Sequence, residues 1–308
     1  MMKKTLSIIF TILLLTALAA CSDSAETEND KPNLVVTTTF INDMVAVLEK
    51  DVQGFNTEMI IPAGEDPHVY EPKASDLRAL GNADITLYHG LNFEGRMSTI
   101  LTDGISVTAD FNHENLEEMK EEDGTVADPH FWFDIELYKQ AFTAVKDTMI
   151  ESNPDDAERY EENYANYILE LDKLDQFVIE RINEIPEDSR MLITPHDAFG
   201  YLESSYDIEV HAPQGFSTDS EVSNNQIQKT ADLITDKHIK AIFVETTTNP
   251  DRMSRLQEIV RSQGGEVEVI SGNGMELLSD SLAAAGNPGD TYLTMYRHNI
   301  NTIVDHLK

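Results

Sequence analysis

Cysteine is almost missing from this chain. Cys21 is the only one in 308 residues, so the folded part can use neither disulfides nor thiolate metal ligands. Basic residues are scarce as well. Lys and Arg number 22 against 56 Asp and Glu, a formal charge of −34. Nucleic-acid binding needs clustered cations to neutralise phosphates, and that composition excludes it. Neither His-Glu-x-x-His nor Gly-x-Ser-x-Gly is present, which removes two common hydrolase signatures. Residues 156–185 contain no glycine and no proline, so nothing there interrupts a helix. Any metal site in this chain has to be built from imidazole and carboxylate.

The N-terminus has its own texture. Lys3 and Lys4 precede an apolar run from Leu6 to Leu18, the pattern of a secretion signal. The run is short of the roughly 20 apolar residues a spanning helix needs. It ends in Leu18-Ala19-Ala20-Cys21, which resembles a bacterial lipobox. We therefore expect residues 1–20 to be a lipoprotein signal and Cys21 to carry lipid. Residues 21–31, polar and acidic, read as a disordered tether. The expected protein is extracytoplasmic, attached to the membrane without spanning it.

The remaining residues alternate short apolar runs with helical patterns. Strands are expected at 34–38, 58–61, 83–88 and 105–108, and again at 191–194, 208–211, 241–244 and 266–270. Helices are expected near 42–50, 74–80, 94–101, 224–235, 252–262 and 292–307. Such alternation implies mostly parallel sheets covered by helices. Between the halves, residues 135–152 form one helical pattern, and residues 156–185 place apolar side chains at three- and four-residue spacing. The fold class is therefore α/β: two lobes, each a mostly parallel sheet flanked by helices, joined by one long rigid helix. The expected divisions are an N-terminal lobe at 32–153, a connecting helix at 154–186 and a C-terminal lobe at 187–308.

Asp-Pro-His occurs twice, as Asp66-Pro67-His68 and Asp128-Pro129-His130, each time with aromatic residues following. A third imidazole, His196, follows proline after the apolar run 191–194. Open parallel sheets bind ligands beyond the carboxyl ends of their strands; His68 and His196 follow such ends, Glu245 terminates the 241–244 run, and His130 could join them from the first half. Imidazole with carboxylate suits manganese, iron or zinc better than calcium, which prefers oxygen alone. A ligating histidine usually donates its other ring N–H to an acceptor, and Asp66, Asp128 and Asp197 are nearest in sequence. His89, His113, His238, His298 and His306 read as ordinary surface or core histidines, and His211 is the nearest rival. The fourth donor is not legible among so many acidic residues. A secreted zinc hydrolase stays open as an alternative, because catalytic zinc also uses three protein ligands.

These motifs together resemble the manganese/zinc solute-binding lipoproteins of bacterial ATP-driven importers, the metal-binding cluster A group. The likeness rests on the lipobox, Gly64-Glu65-Asp66-Pro67-His68, Leu87-Tyr88-His89-Gly90-Leu91-Asn92-Phe93-Glu94 and Asp128-Pro129-His130-Phe131-Trp132. It continues in His196-Asp197-Ala198-Phe199-Gly200-Tyr201, Gln214-Gly215-Phe216-Ser217-Thr218-Asp219, Phe243-Val244-Glu245, Ser279-Asp280-Ser281-Leu282 and Met295-Tyr296-Arg297-His298-Asn299. It implies a metal between the lobes, held by His68, His130, His196 and Asp280, with Glu245 behind them or as an alternative ligand. It also implies a carrier rather than an enzyme, delivering Mn2+, or alternatively Zn2+, to an ABC permease and its ATPase. The cation is transported ligand, not a catalytic cofactor, and the chain is expected to be monomeric. Residues 113–128 lack the His-rich loop of dedicated zinc carriers, although many manganese members have glutamate where this chain has His196. A cell-adhesion role is compatible with the resemblance and is neither supported nor excluded by these residues.

Overall fold

A computed structural model describes residues 31–121 and 124–308, and the side chains of residues 120 and 121 are not part of that description. The expected signal at 1–20, Cys21 and all of the tether except Lys31 lie outside the described residues. Residues 32–308 form one compact unit. No described helix is long and apolar enough to cross a membrane.

The first half is a parallel sheet. β1 (Asn33–Val36), β2 (Asn56–Met59), β3 (Ile85–Tyr88) and β4 (Ile105–Ser106) pair in the order β2-β1-β3-β4. Helices α1 (Thr39–Leu48) and α2 (Ala74–Asn82) connect them. β1 sits in the middle of the sheet, and Leu34, Val35 and Val36 are buried on both faces. That is why the strand reads as an unbroken apolar run. The segment 94–101 is a 3-10 turn, Gly95–Ile100, rather than an α-helix. Beyond it β5 (Glu118–Glu121) and β6 (Gly124–Ala127) form an antiparallel hairpin. Its polar, acidic sequence lacks the apolar alternation that marks a strand, so the pattern did not reveal it.

Helix α3 (Ile135–Ser152) begins immediately after the second Asp-Pro-His segment. Asp134 caps it, accepting from the backbone N–H groups of Glu136 and Leu137 at 2.8 and 2.9 Å. Pro154 separates α3 from α4 (Ala157–Ile182), whose 26 residues span about 39 Å. One face of α4 buries Tyr160, Tyr167, Leu171, Leu174, Val178 and Ile182.

The second half contains β7 (Met191–Ile193), α5 (Gly200–Tyr206), β8 (Glu209–His211), α6 (Asn224–Lys237), β9 (Ala241–Phe243), α7 (Asp251–Ser262), β10 (Glu268–Ile270) and α8 (Tyr292–Leu307). Its strands form two parallel ladders, β7 with β8 and β9 with β10, and β7 packs beside β9. The short helix α5, over a mixed polar and aromatic sequence, was not anticipated.

Three apolar cores result among the described residues. One fills the outer face of the first half around Val35, Ile60 and Met97, and one lies between β7, β9, α6 and α7. The third runs from Leu34 through the buried faces of α3 and α4 to Phe243 and α8, so it belongs to both halves. Polar ties reinforce it. Tyr292 and Tyr296 donate from α8 to the carbonyls of Trp132 and Phe133 at 2.7 and 2.6 Å, and Asp43 of α1 accepts from the Tyr292 backbone N–H at 3.0 Å.

Candidate metal centre

The repeated Asp-Pro-His is a local device. In each copy the aspartate accepts from the backbone N–H of its own histidine, at 3.0 Å for Asp66 and 2.9 Å for Asp128. This Asx turn closes around a proline with fixed φ, so the imidazole leaves the backbone in a set direction. His68 follows the loop after β2, and His130 opens the 3-10 turn Phe131–Phe133. His196 follows β7, where an isolated bridge to Gln214 continues the β7–β8 ladder.

Asp280 comes from an irregular loop after β10 that several contacts fix. Leu277 pairs with Glu245 in a bridge that prolongs β9. Asn299 of α8 grips both sides of Leu278, accepting from its N–H at 2.9 Å and donating to its carbonyl at 2.8 Å. The Trp132 indole N–H donates to the carbonyl of Ser279 at 2.9 Å. Elements from both ends of the chain thus set the position of one carboxylate.

One donor atom from each of His68, His130, His196 and Asp280 lies within 4.8 Å of the others, and all four residues are buried. The Nε2 atoms of His68 and His130 are 3.3 Å apart, and Asp280 Oδ1 is 3.4 Å from Nε2 of both His130 and His196. His196 Nε2 and Asp280 Oδ1 have no hydrogen-bond partner although wholly buried. Orphaned buried polar atoms are costly. A first-row cation with bonds near 2.0–2.2 Å could bridge the donors that lie 3.3 and 3.4 Å apart and satisfy them. No other group of three or more potential ligating residues occurs among the described residues.

The carboxylates behind the rings differ from the sequence expectation in two cases. Asp128 does meet its ring, with Oδ1 2.6 Å from His130 Nδ1. Asp66 does not: its second oxygen accepts from Thr218 at 2.6 Å, tying the first half to the 214–219 loop of the second. The carboxylate against His196 Nδ1 is Glu245 at 2.5 Å, without hydrogen-bond alignment, rather than the adjacent Asp197. Sequence proximity failed because a ring at the end of a strand faces the neighbouring strand, and Glu245 ends β9 beside β7. Glu245 therefore lies on the Nδ1 side of the ring, away from the cluster formed by Nε2.

The electrostatics divide the rings. Burial and the two neighbouring imidazoles push His68 down to about 3, against the pull of Asp280, so it is neutral. Burial also opposes charge on His130, but Asp128 and Asp280 outweigh it and lift it to about 9. His196 is raised too, because Glu245 and Asp280 overcome its burial. Asp280 is held well below the usual carboxylate range, since the two imidazoles more than offset its burial. Burial and the charge of Asp280 push Asp66 up to about 6.

Aromatic rings wall the cluster. Phe93 packs edge-on to His68 at 5.0 Å and against Trp132 at 4.8 Å, and Phe40 stacks on Trp132 at 4.5 Å. Gly95 has φ near +39°, and a Cβ there would come within 2.0 Å of the His68 carbonyl oxygen. The turn must be glycine to press so closely. A cleft of about 520 Å³, lined by His68, Asn92, Pro129, Phe216 and Asp219 among others, borders the cluster at His68.

The other histidines have separate partners. His89 is buried at 2.6 Å from the Thr38 hydroxyl, and His211 sits 3.0 Å from Thr230. His298 and His306 contact backbone carbonyls of Glu276 and Thr302, while His113 and His238 are exposed. Sequence reasoning missed Thr247 and Ser279. Thr247 donates to Asp280 Oδ2 at 3.0 Å, and Ser279 donates to Glu245 Oε2 at 2.9 Å. Both lie in loops, where no periodicity marks them.

Residues 34–306 match a family model described as the zinc-uptake complex component A, periplasmic, ZnuA. The chain is 33% identical over 302 residues to the zinc-binding protein TroA of Treponema pallidum, covering 94% of each chain. It is also 33% identical to the manganese-binding lipoprotein MntA of Bacillus subtilis, covering 95% of each. Among solved structures, a TroA protein 48% identical in sequence superposes with a TM-score of 0.88, covering 91% of this chain and 100% of its own.

Proposed function

This chain belongs to the zinc-uptake component A family of solute-binding proteins, and from that membership we propose that it captures a divalent first-row cation outside the cytoplasm for an ABC-type permease. The single observation that supports the site assignment is the buried cluster of His68, His130, His196 and Asp280, with two donor atoms otherwise unpartnered. His68, His130 and His196 would contribute ring nitrogens and Asp280 a carboxylate oxygen. Asp128 and Glu245 would steady His130 and His196 from behind. A shell of four protein donors leaves little room for reactive water, which suits a carrier better than a hydrolase. Lipid on Cys21 would tether the chain to the membrane, and the permease with its ATPase would receive the ion. The carrier acts as a monomer in this reading.

Manganese is the cargo we favour, because relatives of this chain include manganese lipoproteins of Bacillus subtilis and Streptococcus gordonii. Zinc is the second reading, and one observation favours it. The cluster brings together four protein donors, the number a tetrahedral zinc takes. Metal analysis of protein purified without added metal tests both. Stoichiometric zinc without manganese would overturn the manganese assignment. Failure to retain any first-row ion after dialysis at neutral pH would overturn capture itself.

A further inference from the structure

We propose that a second cation site lies behind His130, in a cavity where Asp128 and Asp197 hold a largely hydrated Mg2+-like ion. Its occupancy opposes metal loading at the His-Asp cluster. The site itself is separate from the capture reading above, and only its effect on loading rests on that reading.

The cavity, of about 580 Å³, lies between β5, α5, β8 and the loop after β7. Glu117, Glu118, Asp128, Asp197 and Glu203 line it, and none of its described lining residues is basic. Acidic surface alone means little in a chain of charge −34. Asp128 sets this place apart. It is wholly buried, and while Oδ1 meets the backbone N–H and ring Nδ1 of His130, Oδ2 has no partner. Gly200 leaves room beside that oxygen. A Cβ there would stand 3.2 Å from Asp128 Oδ2 and 3.8 Å from Asp197 Oδ1, so both carboxylates face the space it leaves.

Two carboxylates facing one confined space repel each other, and a cation between them removes that cost. Glu203 is partly engaged elsewhere, accepting from the Val210 backbone N–H at 3.0 Å. The donors nearest Gly200 are oxygens, which suit a hard ion rather than zinc. No third ligating side chain is close enough to complete a shell from protein alone, since the His-Asp cluster is the only such group among the described residues. Ca2+ takes about six to eight oxygens, whereas Mg2+ keeps several waters and is held by one or two carboxylates. Mg2+ therefore fits this place better.

The coupling follows from the two faces of Asp128. A positive ion on Oδ2 offsets the negative charge that Oδ1 presents to the His130 ring, and it stands behind the imidazole whose Nε2 faces the cluster. Mg2+ and the captured cation oppose each other, each lowering the other's affinity by the same factor.

Calorimetric titration of the metal-stripped full chain with Mg2+ at pH 8 reads the site. Mn2+ titrations followed by the magnetic resonance signal of the free ion, with and without millimolar Mg2+, read the coupling. Gly200→Ala fills the space with a methyl group and changes no charge, and Asp197→Asn removes one charge and keeps the shape. Wild type should take up Mg2+ at a single millimolar site, and both variants should lose that heat. Mg2+ should weaken Mn2+ binding to wild type about fivefold beyond NaCl of equal ionic strength, the low end of coupling between sites. In either variant that extra weakening should vanish. Equal Mg2+ heats in all three proteins would assign the ion to the general acidic surface and overturn the site. Tighter binding of Ca2+ than of Mg2+ would overturn the water-completed shell. A Mg2+ site lost in the variants but without effect on Mn2+ would overturn the coupling. A wild type that takes up Mg2+ and no first-row ion would sink capture and leave the cavity site intact.

Discussion

Replacing Asp128 with asparagine separates charge from shape at His130. The side chain keeps an oxygen in place to accept the backbone and ring N–H groups that Asp128 Oδ1 meets at 2.9 and 2.6 Å, so the turn survives. What disappears is the negative charge that, with Asp280, lifts His130 to about 9 against its burial. A metal must displace that proton. At pH 7 a group titrating near 9 hinders binding about 100-fold, or roughly 3 kcal/mol, because each pH unit is worth about 1.4 kcal/mol. Without that carboxylate, only Asp280 is left to oppose burial, so His130 titrates lower and this competition weakens. Losing the charged partner also makes the ring a poorer ligand, by about 10- to 100-fold. The two effects oppose each other near neutrality, so Asp128→Asn should bind nearly as well as wild type at pH 7. Above neutrality the wild type keeps gaining from loss of its proton and the variant does not. The wild-type advantage should therefore grow by about tenfold per pH unit between pH 7 and about 8.5. Competition titration against a chelator at several pH values measures this, with proton release checked by calorimetry in buffers of different ionisation enthalpy. Parallel affinity-against-pH curves for the two proteins would refute the assignment of the proton to His130.

Two further outcomes test the site from other sides. His68→Ala should lower metal affinity by orders of magnitude and leave the metal-free fold intact, whereas His113→Ala, at an exposed position, should change nothing; equal losses in a calorimetric titration would mean that the cluster is misassigned. Gly95→Ala forces a Cβ to within 2.0 Å of the His68 carbonyl at a positive φ. It should cost about 2 kcal/mol or more of stability and weaken metal binding, read from a urea midpoint and a titration. A midpoint like that of wild type would show that the turn has slack the structure does not reveal.

Much of this protein follows from local sequence. Apolar runs capped by polar residues gave the parallel strands but not the β5–β6 hairpin, and uninterrupted helical spacing gave α3 and α8 at their observed bounds and α4 to within a few residues. Asp-Pro-His announces three features in three residues: a carboxylate to close the turn, a ring to fix it and an imidazole to present. Those are short-range effects, so His68 and His130 could be picked out without a structure. His196 follows the same logic at the end of a strand. The carboxylates obey no such rule. Asp280 owes its place to Asn299, Trp132 and the bridge between Leu277 and Glu245, contacts that span the chain. Glu245 meets His196 because β9 lies beside β7, and Asp197, though adjacent in sequence, does not. Thr247 meets the Asp280 carboxylate only once the loop carrying Asp280 has arrived. Imidazole positions were set by torsions within a few residues, and the chain alone declares them. Which oxygens face those rings depends on packing between distant segments, and only the folded molecule decides it.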